Sequence, residues 1–219
     1  MKTIFVIRHG ETEWNLERRM QGRLDSPLTH QGTEQAHGHG ILLKSLTPVQ
    51  EMYVSPSGRT RETAYILNSY VRAHVIYEEA LLERDLGIWS GLTVDELEDS
   101  FPRAWQERLD DPFHHRPPEG ENLADMSDRC NDFLYQVVHG TAERIALVTH
   151  QVMSRVILGK LLGLTQTETT QVIHPNDVIY EVRVHEEGTD VYHYRAGHGP
   201  FDGLLRHGDD ETIPELTTT

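Results

Sequence analysis

Two continuous apolar runs, each cut off by a histidine, constrain the fold of this 219-residue chain more than any other feature. Thr3 to Ile7 runs straight into Arg8-His9-Gly10, and Ile145 to Thr149 runs into His150. Runs of this length without polar alternation are the pattern of strands buried on both faces of a sheet. Met52 to Val54 reads as a shorter strand of the same kind, followed by Ser55-Pro56 and then by Arg59 and Arg61 at the start of a helix. Between the runs lie segments of helical periodicity with recognisable starts. Thr29 is an N-cap candidate before Ala36, Ile41 and Leu42, Ser57 is one before Ala64, Leu67 and Val71, and Thr93 with Glu96 fits a capping box. Strands alternating with helices predict an α/β domain. Further on, Val178, Tyr180, Val182 and Val184 alternate with polar residues, and a turn at Glu187-Gly188 leads to a second strand candidate, Asp190 to Tyr194; this hairpin predicts an antiparallel edge. The expected fold is therefore a three-layer α/β/α domain over residues 1–196, with a mostly parallel central sheet.

The clearest amphipathic stretch begins at Asn122 and places Leu123, Met126, Cys130, Phe133, Leu134 and Val137 on one face. Cys130, the only cysteine, is thereby read as a small core residue rather than a nucleophile. A lone cysteine also excludes an intrachain disulfide framework. The first apolar run is stopped by Arg8, and no stretch approaches the roughly 20 apolar residues of a membrane span, so a cytoplasmic protein is expected. The stretch from Asp110 to Gly120 holds three prolines and reads as a loop. Residues 197–219 are Gly-rich and then acidic, and read as a mobile tail.

The carboxyl ends of strands in an open parallel sheet share one crevice, where ligands bind. Three strand ends would deliver Arg8, His9, Arg59 and His150 to that crevice, and helix N-termini there would add backbone N–H donors. Such a place suits a phosphate. The whole chain, by contrast, carries a formal charge of −15, from 20 Lys and Arg against 35 Asp and Glu. That balance excludes nucleic acid and anionic lipid surfaces as first partners, since both draw their affinity from displaced counterions. It does not exclude one small anion in a locally cationic pocket.

The segment Arg8-His9-Gly10-Glu11-Thr12-Glu13-Trp14-Asn15 resembles the RHG signature of the histidine phosphatase superfamily, which includes the phosphoglycerate mutases and related phosphatases. Further blocks fall in the same order: Gln21-Gly22, Asp25-Ser26-Pro27-Leu28-Thr29 with Gly32, Ser55-Pro56 with Arg59-Thr60-Arg61, Leu82-Glu83 with Gly87 and Gly91, and Val148-Thr149-His150. The resemblance spans about residues 1–185 and implies the phosphoglycerate mutase-like fold. It implies that His9 is the nucleophile, forming a phosphohistidine, that Arg8, Arg59 and His150 cradle the transferring group, and that Glu83 is the general acid and base. It points to Asn15, Gln21, Gly22 and Arg61 as substrate contacts. Glycine usually follows the second histidine in the family; here Gln151 stands there and brings a side chain to the pocket.

A neutral imidazole is nucleophilic without a separate base if its other nitrogen donates a hydrogen bond that fixes the tautomer. Neighbouring Arg8 and Arg59 would keep His9 unprotonated, and a protonated His150 would add a third cationic donor. Phosphoryl transfer asks the protein mainly for positioning and electrostatic work, so neither a metal nor another cofactor is required. The pairs His37/His39 and His114/His115 do not place two rings on one helical face, and no metal site is expected.

The sequence after Glu83, Arg84-Asp85-Leu86-Gly87-Ile88-Trp89-Ser90-Gly91, resembles the phosphatase branch more than the mutases, in which His-Tyr-Gly usually follows the Glu-Arg pair. The helical cap expected at about 92–126 is also short, which favours water reaching the phosphohistidine. The expectation is a metal-independent phosphomonoesterase for a small phosphorylated metabolite, a monomer or homodimer, with Arg103, Trp105, Arg108, His114, His115 and Arg116 as the pool of substrate selectors. A bisphosphoglycerate-dependent phosphoglycerate mutase is the alternative, and a non-catalytic phosphate-ligand-binding module stands behind it.

Overall fold

A computed structural model describes residues 1–46 and 48–208. Its strands are β1 (Lys2–Arg8), β2 (Glu51–Val54), β3 (His74–Tyr77), β4 (Arg144–Thr149), β5 (Val178–Val184), β6 (Thr189–Arg195) and β7 (His198–Asp202). They form one sheet in the order β3-β2-β4-β1-β5-β6-β7. The first four are mutually parallel, and β5, β6 and β7 add antiparallel strands on the other side of β1.

Period-two side-chain alternation on the central strands divides the core into two layers. Ile4 and Val6 of β1 join Ile145 and Leu147 of β4 on one face, where α6 (Leu123–Arg129), α7 (Asn131–His139) and α8 (Gln151–Leu162) pack. Phe5 and Ile7 join Ala146 and Val148 on the other, against α2 (His30–Leu46) and α3 (Gly58–Val71). The two long apolar runs are thus buried on both faces, as their composition requires. A separate small cluster of Leu86, Trp89, Leu97 and Trp105 holds the cap, built from α4 (Val94–Ser100) and α5 (Pro102–Asp110). Thr93 and Glu96 make the expected capping box at the start of α4.

Three expectations need correction. The stripe from Asn122 to Val137 is buried throughout, but on two helices that meet at Cys130 rather than on one. Cys130 itself is fully buried, and burial pushes its thiol up to about 11, which leaves it protonated and inert. Ser57 makes no side-chain cap bond; the N-terminus of α3 is instead capped by Asp25, whose carboxylate accepts from the N–H of Gly58 at 2.6 Å and of Arg59 at 3.3 Å. The presumed tail begins too early. His198–Asp202 forms β7, and Leu205 is buried against the core. Residues 209–219 of that expected tail lie outside the described residues.

Register explains how the site assembles. Ile7 pairs with Val148, and Val148 pairs with Val54, so the ends of β1, β4 and β2 are level. The N–H of His9 continues the ladder to the Thr149 carbonyl at 3.0 Å, and the N–H of Ser55 to the Val148 carbonyl at 3.0 Å. The residues just past each strand therefore emerge at one edge. Because β5 runs antiparallel to β1, the loop that precedes it, His174-Pro175-Asn176-Asp177, is delivered to the same edge. No described helix is long and apolar enough to cross a membrane.

Candidate active site

His9 and His150 meet edge to face, with ring centroids 5.4 Å apart. Both are buried. Nδ1 of His9 lies 2.8 Å from the carbonyl oxygen of Gly10. A carbonyl only accepts, so Nδ1 carries the proton and Nε2 keeps its lone pair. Burial first, and then the charges of Arg59 and Arg8, hold His9 well below the ordinary imidazole pKa of 6.5. The ring is neutral at neutral pH, with one nucleophilic nitrogen.

The backbone around His9 is held from three sides. Asn176 Nδ2 donates to the His9 carbonyl at 2.7 Å, and the N–H of Gly10 donates to Thr63 Oγ1 at 3.1 Å. Gly10 also packs so closely on the start of α2 that a Cβ there would lie 2.2 Å from the Gly32 carbonyl oxygen.

His150 is the residue before α8, and its Nε2 lies 2.7 Å from Ser55 Oγ. Burial, then Arg59, His9 and Arg8, push its pKa well below 6.5. The protonated His150 considered from sequence is therefore not the resting state: it is neutral, because burial first, and then Arg59, His9 and Arg8, disfavour a positive charge on it. Its Nδ1 is buried and meets no protein partner.

Arg59 sits on the first turn of α3 and is held by backbone carbonyls. Nη2 donates to Gly22 at 2.8 Å, and Nη1 to Leu24 at 2.6 Å and to Asp25 Oδ1 at 2.7 Å. Gly22 adopts φ +54°, a left-handed turn that favours glycine, and that turn aims its carbonyl at Arg59. Arg8 donates through Nη1 to the His174 carbonyl at 2.9 Å. Burial lowers its pKa to about 10, with Glu83 acting in the opposite sense. Among the described residues, Nε of Arg8 and Nε of Arg59 are buried without an acceptor, and Nδ1 of His150 is buried without a partner.

Glu83 reaches the N-terminus of α8. Oε2 accepts from the N–H of Val152 at 3.1 Å, and Oε1 from Met153 at 3.1 Å and from Arg84 at 2.8 Å. With a single N–H bond, Oε2 keeps a lone pair for a proton. The segment that carries Glu83 is pinned by Arg129, which donates to the carbonyls of Ala80 at 2.6 Å, Leu82 at 2.5 Å and Glu83 at 3.3 Å.

The remaining sequence-predicted residues divide. Gln21 is buried and donates to Thr12 Oγ1 at 2.7 Å, which donates in turn to Asn15 Oδ1 at 3.1 Å; this chain holds the loop after the RHG segment. Asn15 completes a capping box with Thr12. Gln151 opens α8 and, with Arg8, lines a cavity of about 500 Å³ bounded by the loop from Ile173 to Asp177. Arg61 is not brought to the cluster: it is exposed and stacks on Tyr77 with its guanidinium 4.5 Å from the ring centroid. Among the described residues, no three of His, Cys, Asp and Glu gather as a metal would require.

Sequence reasoning missed His174, Asn176 and Arg129, and it assigned Ser55 and Asp25 no role. For His174 and Asn176 a signal existed: a proline-containing polar loop directly before a strand expected to be antiparallel to the first. Nothing in the sequence separates Arg129 from other helix-surface arginines.

The family model for the "Histidine phosphatase superfamily (branch 1)" matches residues 4–196. The chain belongs to that superfamily. Among curated relatives, an Escherichia coli protein named "Probable phosphoglycerate mutase GpmB" is 33% identical over 165 residues, covering 75% of this chain and 76% of the relative. Of solved structures, Bacillus stearothermophilus YhfR superposes with a TM-score of 0.79 at 30% identity, covering 87% of this chain and 95% of that one. A mycobacterial glucosyl-3-phosphoglycerate phosphatase, solved with VO3, gives a TM-score of 0.77 at 23% identity over 87% and 97% of the two chains, and so shares the fold. The superfamily holds phosphatases and mutases.

Proposed function

We propose that the chain is a phosphomonoesterase that hydrolyses a small phosphorylated metabolite through a phosphohistidine on His9, by a scheme that needs no metal. The Nδ1–H bond to the Gly10 carbonyl carries this reading, because it leaves the Nε2 lone pair free on a ring that burial and two arginines keep neutral. In the first step Nε2 attacks phosphorus, the Nε2–P bond forms, and the bond to the ester oxygen breaks. Arg8 and Arg59 have buried N–H donors without acceptors among the described residues, and His150 Nδ1 is a third donor in the tautomer whose Nε2 accepts from the Ser55 hydroxyl; these supply hydrogen bonds to the phosphoryl oxygens as charge shifts onto them. A proton from Glu83 Oε2 goes to the departing oxygen. In the second step a water takes the place of the alcohol, gives its proton to the Glu83 carboxylate and attacks phosphorus, releasing inorganic phosphate and neutral His9.

The mutase reading has one observation in its favour, the name of the 33%-identical relative. Two measurements separate the readings. Rapid mixing with 4-nitrophenyl phosphate and a neutral quench should trap an acid-labile, base-stable phosphate on His9, followed by free phosphate at the catalytic rate. Label on a serine or a carboxylate refutes the mechanism. Conversion of 3-phosphoglycerate plus a bisphosphoglycerate primer to 2-phosphoglycerate, with little phosphate released, refutes hydrolysis as the main activity.

A further inference from the structure

A group that protonates the departing oxygen must touch it, so the leaving group lies beside Glu83. The surroundings of Glu83 on that flank decide which leaving groups fit. Val152, whose N–H holds Glu83 Oε2, also lines a second cavity of about 240 Å³ between α5 of the cap and α8. Three arginines line the same cavity: Arg84 next to Glu83, Arg108 from α5 and Arg155 from α8, together with Gln171 and His207.

These arginines are poorly compensated. Arg84 donates to the backbone carbonyls of Glu121 and His115 at 2.7 Å each, and Arg155 Nε to that of Val172 at 2.7 Å. Arg108 stacks on Trp105 at 4.7 Å, and its buried Nε meets no acceptor. Among the described residues, none of the three pairs with a carboxylate and no Asp or Glu lines the cavity. Burial lowers the pKa of each, that of Arg84 to about 10; Arg108 repels both Arg84 and Arg155, while Glu83 acts on both in the opposite sense, as Glu121 does on Arg84. A bound oxyanion relieves this repulsion and accepts from the unused guanidinium N–H groups, which suit carboxylate and phosphate alike.

We propose that this cavity is a second oxyanion subsite, so that the substrate is a phosphate monoester whose leaving group carries a further carboxylate or phosphate. The proposal rests on the phosphomonoesterase reading, which fixes the side on which the leaving group departs. It assigns Arg108 and Arg155 to substrate selection.

The test compares matched pairs of esters: 3-phosphoglycerate against glycerol 3-phosphate for a carboxylate, and fructose 1,6-bisphosphate against fructose 6-phosphate for a phosphate. In the wild-type protein kcat/KM should favour the two-anion member of at least one pair by about tenfold or more, and the favoured pair identifies the oxyanion. Arg108→Ala, Arg108→Gln and Arg155→Ala should each bring that ratio close to one. Ratios near one in the wild type, or unchanged in all three variants, overturn the proposal. Hydrolysis of 4-nitrophenyl phosphate reports separately on the phosphomonoesterase reading. If no ester is hydrolysed, calorimetric titration of the same pairs into wild-type and Arg108→Ala protein decides the subsite alone: no preference for the two-anion member, or one that Arg108→Ala leaves intact, overturns it.

Discussion

The edge of the sheet and the cap meet around Glu83, yet they are built to different standards. The edge rests on strands whose side chains at Ile4, Phe5, Val6, Ile7, Ala146, Leu147 and Val148 show at most a trace of exposed surface, and two core layers clamp it. His9, His150 and Arg59 are fixed there by backbone ladders and carbonyls. The cap cluster has four buried side chains, Leu86 and Trp89 from the turn that precedes the cap, Leu97 on α4 and Trp105 on α5, and its two helices of seven and nine residues are too short to be stable without packing. On the proposed mechanism, the chemistry that must be held to a fraction of an ångström belongs to the rigid part, and the proposed selection of the leaving group, which tolerates some give, to the place where the softer part faces it.

Acid should separate the two regions most strongly. Four buried histidines lie at or beside the sheet edge: His9, His150, His39 and His174, the last with its pKa lowered to about 3 by burial. His39 donates from Nε2 to the Asn176 carbonyl at 2.9 Å, and His174 from Nε2 to the Val178 carbonyl at 3.0 Å. An unfolded chain takes up a proton on each histidine as pH falls through about 6.5, whereas the folded protein refuses it on His9, His150 and His174 until far lower, and on His39 until below 6.5. The unfolded state then binds more protons, so stability is full above pH 6.5 and falls as pH drops below it, by up to about 1.4 kcal/mol per unit for each group. His9, His150 and His174 alone can remove much of a typical domain stability within two pH units. Urea melts from pH 7.5 to 5 should show this steep loss, and His174→Gln should make it shallower. A flat profile would mean that the edge is more open to water than its burial indicates.

Gly10→Ala attacks the edge at one atom. The new Cβ would press on the backbone of Gly32, and neither backbone can move without shifting His9 or α2. A cost of about 3 kcal/mol in urea melts is expected from the overpacking, with a fall in kcat/KM of about 100-fold or more from misplacing His9 by an ångström. Retention of both wild-type values would show that the RHG loop is not clamped by α2.

The same contrast governs what could be read from the sequence. Strands β1 and β4 were legible because burial on both faces leaves uninterrupted apolar runs, and Arg8, His9 and His150 because they end or directly follow such a run; Arg59 lies past a short strand and a turn, and Glu83 was legible only through the family resemblance. β3 was missed: it is a four-residue edge strand, half exposed, and leaves little pattern. β7 was missed because all five of its residues are exposed and it begins with His-Gly-Pro, which reads as loop. The break at Cys130 leaves no mark, since the apolar stripe continues across it. Supporting contacts were least legible. Asp25 replaces Ser57 as the cap of α3 from 33 residues away in sequence, and Asn176 holds His9 from 167 residues away. Such pairings depend on topology and not on local pattern.

Trp105→Ala is the complementary blow to the cap and should be the mildest for the chemistry. Trp105 packs on Trp89 with ring centroids 6.1 Å apart, and its Nε1 donates to Glu98 Oε1 at 3.0 Å. Removing it takes away one of four core side chains, at a local cost of about 3 kcal/mol, along with the surface on which Arg108 stacks. Because no histidine of the sheet edge is involved, this loss should be the same at pH 7.5 and pH 6. Hydrogen exchange should accelerate in α4 and α5 while the amides of β1 and β4 keep their protection. KM should rise with kcat for 4-nitrophenyl phosphate reduced by less than about tenfold, since a ligand contact and not the transition-state clamp has been loosened. A collapse of kcat with protection lost in β1 would show instead that cap and edge unfold as one unit.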